Sequence, residues 1–317
     1  MTNMPLDPQV ERLLKEMALK NDKPVYMQTP EEARAARLAL LDKNPQKVRP
    51  VGSVKDQLIS GSGTQIPIRI YTPGNDGLFP IMVYFHGGGW VIGNLNTVDD
   101  TCRAICTYAN YIVVSVDYRL APEHKFPSPV EDAYDALLWA VQHADQIGGT
   151  KNSVVVAGDS AGATLAAVTA RKAKENGYKL LGQLLIYPVT QHAFDTNSYE
   201  ENASGYFLTK KAMEWYWSQY LNENQDGRSA DASPLLAPNL KGLPQAIVLT
   251  AEFDPLRDEG NLYAERLKQA GVSVIELNAE GMIHGFFTNE WGLDRREQVL
   301  RQVANLLKEW AGDCFPA

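Results

Sequence analysis

The run Val154-Val155-Val156-Ala157-Gly158-Asp159-Ser160-Ala161-Gly162 limits the possible folds of this chain more than any other stretch. Its short, β-branched apolar start predicts a buried strand, and the alanine-rich residues from Ala163 to Ala173 predict a helix directly after it. Only a sharp turn fits between the two. Gly158 and Gly162 stand two residues either side of Ser160. A strand that folds straight into a helix brings these positions almost into contact, so side chains there would collide. The apex residue is then forced into a strained conformation, its hydroxyl pointing outward above the helix N-terminus. A glycine-rich turn around an ordinary serine fits the same five residues, so the rest of the chain must decide.

Composition narrows the partners. The chain has 317 residues and a formal charge of −8. It has no basic footprint for nucleic acid or an anionic membrane surface. The start, Met1-Thr2-Asn3-Met4-Pro5, has neither the basic nor the apolar part of a secretory signal, and no apolar run approaches a membrane span. Cys102, Cys106 and Cys314 are too few and wrongly spaced for a disulfide framework or a zinc site. Free thiols and a cytoplasmic location are expected. A homodimer is compatible with the sequence.

In chain order, two helices are expected between residues 7 and 44, from the spacing of Val10, Leu13, Leu14 and Met17 and from the start signal Thr29-Pro30-Glu31-Glu32. Val54 to Ile59 and Gln65 to Tyr71 read as a hairpin. Strands at Pro80–Phe85 and Tyr111–Val116 follow, with helices at Asp99–Ala109 and Glu131–His143. After the serine strand come strands at Leu181–Tyr187, Ala246–Ala251 and Val272–Leu277. Antiparallel pairing followed by βα alternation predicts an α/β fold with a mostly parallel sheet flanked by helices. Residues 188 to about 230 interrupt the alternation and are rich in aromatics, among them Tyr199, Tyr206, Phe207, Trp215, Tyr216, Trp217 and Tyr220. An insertion of this length is expected to form helices of its own.

Three features converge on Ser160. The first is His86-Gly87-Gly88-Gly89-Trp90, directly after a strand. Three glycines lose much conformational entropy on folding, but they let backbone N–H groups approach a ligand closely. With the N–H of Ala161, those of Gly88 and Gly89 can receive an oxyanion, each donor being worth roughly 3 kcal/mol in a transition state. A phosphate loop would need a lysine or an immediate helix, and neither is present. The second feature is Asp254, just past the strand Ala246–Ala251 and just before Pro255. As a helix N-cap it has an ordinary role as well. Glu252, Asp258 and Glu259 are rival carboxylates that spacing does not exclude. The third is His284, flanked by glycines after the last strand. His86, His124, His143 and His192 sit where an imidazole ties backbone together or meets solvent. The order Ser, Asp, His is that of hydrolases in which a serine nucleophile crowns a parallel sheet.

With Asp117-Tyr118-Arg119-Leu120-Ala121-Pro122-Glu123-His124, Ser233-Pro234-Leu235 and Asp254-Pro255-Leu256-Arg257-Asp258, these motifs resemble the hormone-sensitive-lipase-like (family IV) carboxylesterases of the α/β-hydrolase superfamily. The resemblance runs over nearly the whole chain; Ala163, where many members have another glycine, departs from it. It implies Ser160, Asp254 and His284 as catalytic triad and Gly88, Gly89 and Ala161 as oxyanion hole. Residues 1–45 and 188–230 would form a helical cap, and 46–187 and 231–317 the catalytic core. It also implies a serine esterase for small-molecule, short- to medium-chain acyl esters that needs no metal or cofactor. Trp90, Tyr206, Phe207 and Leu208 are the expected substrate-binding residues. An amidase or formamidase using the same triad, or a non-catalytic receptor of the same fold, are the alternatives.

Overall fold

The computed structural model describes residues 5–20, 22–43, 48–289 and 291–312. Cys314 and the expected domain boundary at residue 45 lie outside them. Eight strands form one sheet: β1 (Ser53–Ser60), β2 (Gln65–Thr72), β3 (Phe79–Phe85), β4 (Ile112–Val116), β5 (Gly149–Asp159), β6 (Gly182–Ile186), β7 (Ala246–Phe253) and β8 (Val274–Ile283). Their spatial order is β1-β2-β4-β3-β5-β6-β7-β8. The β1–β2 and β2–β4 pairs are antiparallel; every other neighbouring pair is parallel.

The helices are α1 (Pro8–Lys20), α2 (Pro30–Lys43), α3 (Asp99–Ala109), α4 (Ser128–Gln142), α5 (Ala161–Glu175), α6 (Asn197–Glu201), α7 (Lys210–Tyr220), α8 (Arg257–Gln269) and α9 (Asp294–Gly312). The start of α2 is a reciprocal cap: Glu32 accepts the Thr29 N–H at 2.9 Å, and Thr29 Oγ1 accepts the Glu32 N–H at 3.2 Å. The sheet divides the core by strand alternation. Ile81, Val83, Phe85, Val154 and Val156 face α4 and α5, while Met82, Tyr84, Val155 and Ala157 face α3 and α9. Both faces are covered, so β3, β4 and β6 are buried along their whole length.

Two differences from the sequence reading bear on the site. β8 runs on to Ile283, six residues beyond the expected end at Leu277, because polar Asn278 and Glu280 sit on an edge strand where one side meets water. His284 therefore follows the strand directly. The insertion forms α6 and α7, and its aromatics divide: Tyr199, Trp217 and Tyr220 are fully buried in the core, whereas Tyr216 turns toward the cavity described next.

Candidate active site

Parallel strands end on a common edge, and four of these ends converge. β3 runs into the glycine loop, β5 into Ser160, β7 into Asp254 and β8 into His284. Ser160 has φ +54°, a left-handed conformation that non-glycine residues rarely adopt and that costs roughly 1–3 kcal/mol. The neighbouring glycines are required there. A Cβ on Gly158 would be driven into the Gly162 carbonyl, and one on Gly162 into the carbonyls of Phe85 and His86. The Ser160 N–H bonds to the Ile186 carbonyl at 2.8 Å, tying the turn to the next strand.

His284 Nε2 lies 3.0 Å from Ser160 Oγ, and its Nδ1 lies 2.7 Å from Asp254 Oδ2. The other Asp254 oxygen accepts the Leu256 N–H at 2.9 Å, so one carboxylate both stops the strand turn and orients the imidazole. It is fully buried. The rival carboxylates have other tasks. Glu252 accepts the Gly281 N–H at 2.8 Å, Asp258 accepts the Ser198 N–H at 2.8 Å, and Glu259 accepts the Thr190 N–H at 2.6 Å. Support for the histidine segment thus comes from Glu252.

Gly88 (φ +123°) and Gly89 (φ +59°) line the same cavity as Ser160. Among the described residues, the N–H groups of Gly88, Gly89 and Ala161 have no protein acceptor. That leaves three donors around the serine free for a ligand oxygen.

The loop is fixed by a residue that sequence reasoning noted only as the neighbour of the serine. Asp159 Oδ1 accepts the Gly87 N–H at 2.9 Å and the Tyr84 hydroxyl at 3.0 Å, while Oδ2 accepts Thr288 Oγ1 at 3.3 Å. Burial pushes its carboxyl above the ordinary value, against these bonds. Asp159 thereby connects glycine loop, nucleophile turn and histidine segment. Tyr187 completes the group, its ring 4.5 Å from that of His284 and its hydroxyl 3.1 Å from Thr288 Oγ1. Neither Tyr187 nor Thr288 carried a sequence signal. His86 stacks on Tyr118 at 4.4 Å with Nδ1 2.8 Å from the Gly87 carbonyl, and burial pushes its pKa down to about 4. It is a neutral strut of the loop.

A cavity of about 580 Å³ opens above the serine, roofed by α2 and α7. Of the four expected substrate-binding residues, Phe207 and Leu208 line it. Trp90 does not. It is fully buried, stacked on Tyr220 at 4.2 Å and tilted against Trp217 at 4.7 Å, because the left-handed turn of the glycine loop (Trp90 φ +61°) sends its ring into the core. Tyr206 does not line it either; its ring packs on Phe253 at 5.1 Å, beside the end of β7. The residues that line the roof instead include Tyr216, one of the insertion's aromatics, and Ala36, Leu40 and Met213, which no spacing in the sequence singled out. Cys102 and Cys106 are buried free thiols whose pKa values burial raises. Among the described residues no helix is long and apolar enough to cross a membrane, and no cluster of metal-ligating side chains occurs.

Comparison with known proteins identifies the family of the fold. A family model described as the alpha/beta hydrolase fold matches residues 82–288. An arylesterase of Saccharolobus solfataricus is 37% identical over 311 residues, covering 96% of this chain and 99% of that one. The carboxylic ester hydrolase LipN of Mycobacterium tuberculosis is 43% identical over 240 residues, covering 74% of this chain and 64% of LipN. The crystal structure of an ester hydrolase from the metagenome of Lake Arreo superposes with a TM-score of 0.93 at 36% identity, covering 97% of this chain and 99% of that one. The chain belongs to the α/β-hydrolase fold family, within its hormone-sensitive-lipase-like group.

Proposed function

We propose that this protein is a serine carboxylesterase acting on small-molecule esters with short to medium acyl chains. The observation that carries the reading is the unbroken contact Ser160 Oγ to His284 Nε2 and His284 Nδ1 to Asp254 Oδ2 at the floor of a cavity. His284, neutral, takes the Ser160 proton as the hydroxyl attacks the ester carbonyl, and Asp254 stabilises the imidazolium that forms. The N–H groups of Gly88, Gly89 and Ala161 receive the developing oxyanion, strongly because they need no reorganisation. His284 then hands the proton to the leaving alcohol. Water repeats the sequence on the acyl-enzyme, returning Ser160 to its starting state. The protons moved in this cycle pass through His284, from Ser160 to the alcohol and then from water back to Ser160.

Residues 1–45 and 188–230 act as the cap over this floor in the same reading, supported by α2 and α7 on the cavity roof. A cytoplasmic site of action fits the buried thiols of Cys102 and Cys106. A homodimer would have the outer edge of β8, which ends the sheet, available for pairing.

Hydrolysis of p-nitrophenyl butyrate by the wild-type chain and by Ser160→Ala tests the assignment. The variant should fold and lose roughly 10⁴-fold or more in kcat. Turnover near wild-type in that variant, with contaminating esterase excluded, would remove the reading.

A further inference from the structure

The cavity above Ser160 contains a charged side chain for which ester hydrolysis as such has no use. Arg37 on α2 is half-buried and lines the cavity. Its Nη1 donates to Asn289 Oδ1 at 2.5 Å. That amide cannot be turned away, since Asn289 Nδ2 donates to the Gly285 carbonyl at 2.9 Å. Among the described residues Arg37 has no other hydrogen-bond acceptor and no ion pair.

Arg34, three residues earlier on the same helix, shows what a guanidinium does when its role is to hold structure. It forks onto Glu123 with Nη1–Oε1 at 2.8 Å and Nη2–Oε2 at 2.6 Å, and donates to the Val91 and Ala121 carbonyls at 2.8 Å each. That fork holds the Glu123 carboxyl down to about 2. Arg34 is satisfied and docks α2 onto the glycine loop. Arg37 has the same planar set of five donors and a single neutral acceptor.

The other charges of the cavity do not answer it. Lys23 and Glu32 pair with each other at 2.9 Å, near the exposed mouth, and Asp22 is exposed there and makes no ion pair with Arg37. Both Asp159 oxygens are committed to Tyr84, Gly87 and Thr288. The roof around Arg37 offers no other charge, with Ala36, Leu40, Leu208, Met213 and the neutral phenol of Tyr216. Burial lowers the Arg37 pKa from its ordinary value, and the charge of Asp159 opposes that shift from a distance. A hydrocarbon ester would cover these donors and give them nothing. A carboxylate matches the free side of the guanidinium in shape, charge and number of oxygens.

We propose that Arg37 is a carboxylate-recognition subsite, and that the preferred substrates are esters carrying a second, ionised carboxyl group. The carboxylate comes either from the acyl half, as in half-esters of dicarboxylic acids, or from the alcohol half, as in O-acyl hydroxy acids. The proposal rests on the carboxylesterase reading. It is tested with two length-matched pairs in a pH-stat: monoethyl adipate against ethyl hexanoate, and γ-acetoxybutyrate against pentyl acetate. The readout is the ratio of kcat/KM for the charged ester to that for the neutral one, so that a general loss of activity in a variant cancels.

In at least one pair, Arg37→Gln should lower the ratio by about tenfold or more, equivalent to about 1.4 kcal/mol, mainly through KM. Arg37→Lys should keep part of it. The pair that responds tells which half of the substrate meets Arg37. In the wild type the same ratio should fall as salt is raised, a measurement that does not depend on the folding of any variant. Ratios equal in wild type and Arg37→Gln for both pairs, or a wild-type ratio indifferent to salt in both, overturn the subsite and leave the esterase reading standing. A wild-type chain that hydrolyses none of the four esters overturns the esterase reading, and the subsite with it.

Discussion

At the floor of the cavity hydrogen bonds of 2.7 to 3.3 Å join Ser160 to His284, His284 to Asp254 and, separately, Asp159 to Thr288, and the backbone is held in left-handed turns at Gly88, Gly89 and Ser160. Above it, α2 and α7 meet the cavity mostly through methyl, thioether and ring contacts, with Arg37 the charged exception inside, and Leu38 and Leu40 of α2 remain over 40% exposed. The floor is grown from the ends of buried parallel strands, whose register leaves each side chain one position. The roof is attached from outside by a few bonds, such as those of Arg34. Directional chemistry therefore belongs to the floor, and the choice of substrate to the roof. Changes in the two regions should differ in kind as well as in size.

The largest effect should follow from Asp254→Asn. The amide keeps the shape and the bond to Leu256, but it favours the wrong imidazole tautomer and cannot stabilise the imidazolium, so kcat should fall roughly 10⁴-fold. Asp258→Asn, four residues on, touches the Ser198 end of the insertion and the Arg257 guanidinium, and should stay within about tenfold of wild type. Parallel kcat measurements on the two variants decide it. A larger loss at Asp258 would mean that the floor is not organised as described.

A smaller loss should come from Gly89→Ala. The position has φ +59°, and a Cβ there would run into the ring of Tyr216, so floor and roof are forced apart at this contact. Displacing one oxyanion donor should cost about 10²–10³-fold in kcat, with substrate binding changed less. A kcat within about twofold of wild type, in a variant with an unchanged melting temperature, would show that the Gly89 N–H is not a donor to the transition state.

What could be read from the sequence follows the same division. The elbow glycines, the three-glycine loop and the Ser–Asp–His order were legible because each needs residue types that few other structures need. The N-cap expected of Asp254 falls to Leu256 instead; Asp254 sits two residues earlier, where its carboxylate accepts the Leu256 N–H and holds the His284 ring. Trp90 was misread as a cavity wall because its direction depends on a positive φ that sequence spacing does not reveal. Tyr206 was misread because an aromatic in an insertion packs equally well on a strand end or over a pocket. Tyr187, Thr288 and Arg37 were missed for a related reason: single residues from three separate segments meet only once the sheet edge is assembled.

The smallest and most selective effect should come from the roof. Leu208 is nearly buried, lines the cavity and has no hydrogen-bonding role toward the triad. In the wild type, an acyl chain gains about 0.8 kcal/mol for each methylene that stays inside an apolar pocket, close to fourfold in kcat/KM, until the wall is reached. The p-nitrophenyl series should therefore peak at roughly four to eight carbons. Leu208→Ala moves the wall outward by about the length of the lost side chain. The peak should shift by about two carbons toward longer chains while acetate turnover hardly changes, since the reacting atoms lie on the floor. An unshifted peak in the variant means that the acyl chain runs elsewhere under α7. A wild-type peak at about twelve carbons or beyond means that the roof forms an open groove, and selectivity for short acyl chains then has no basis in it.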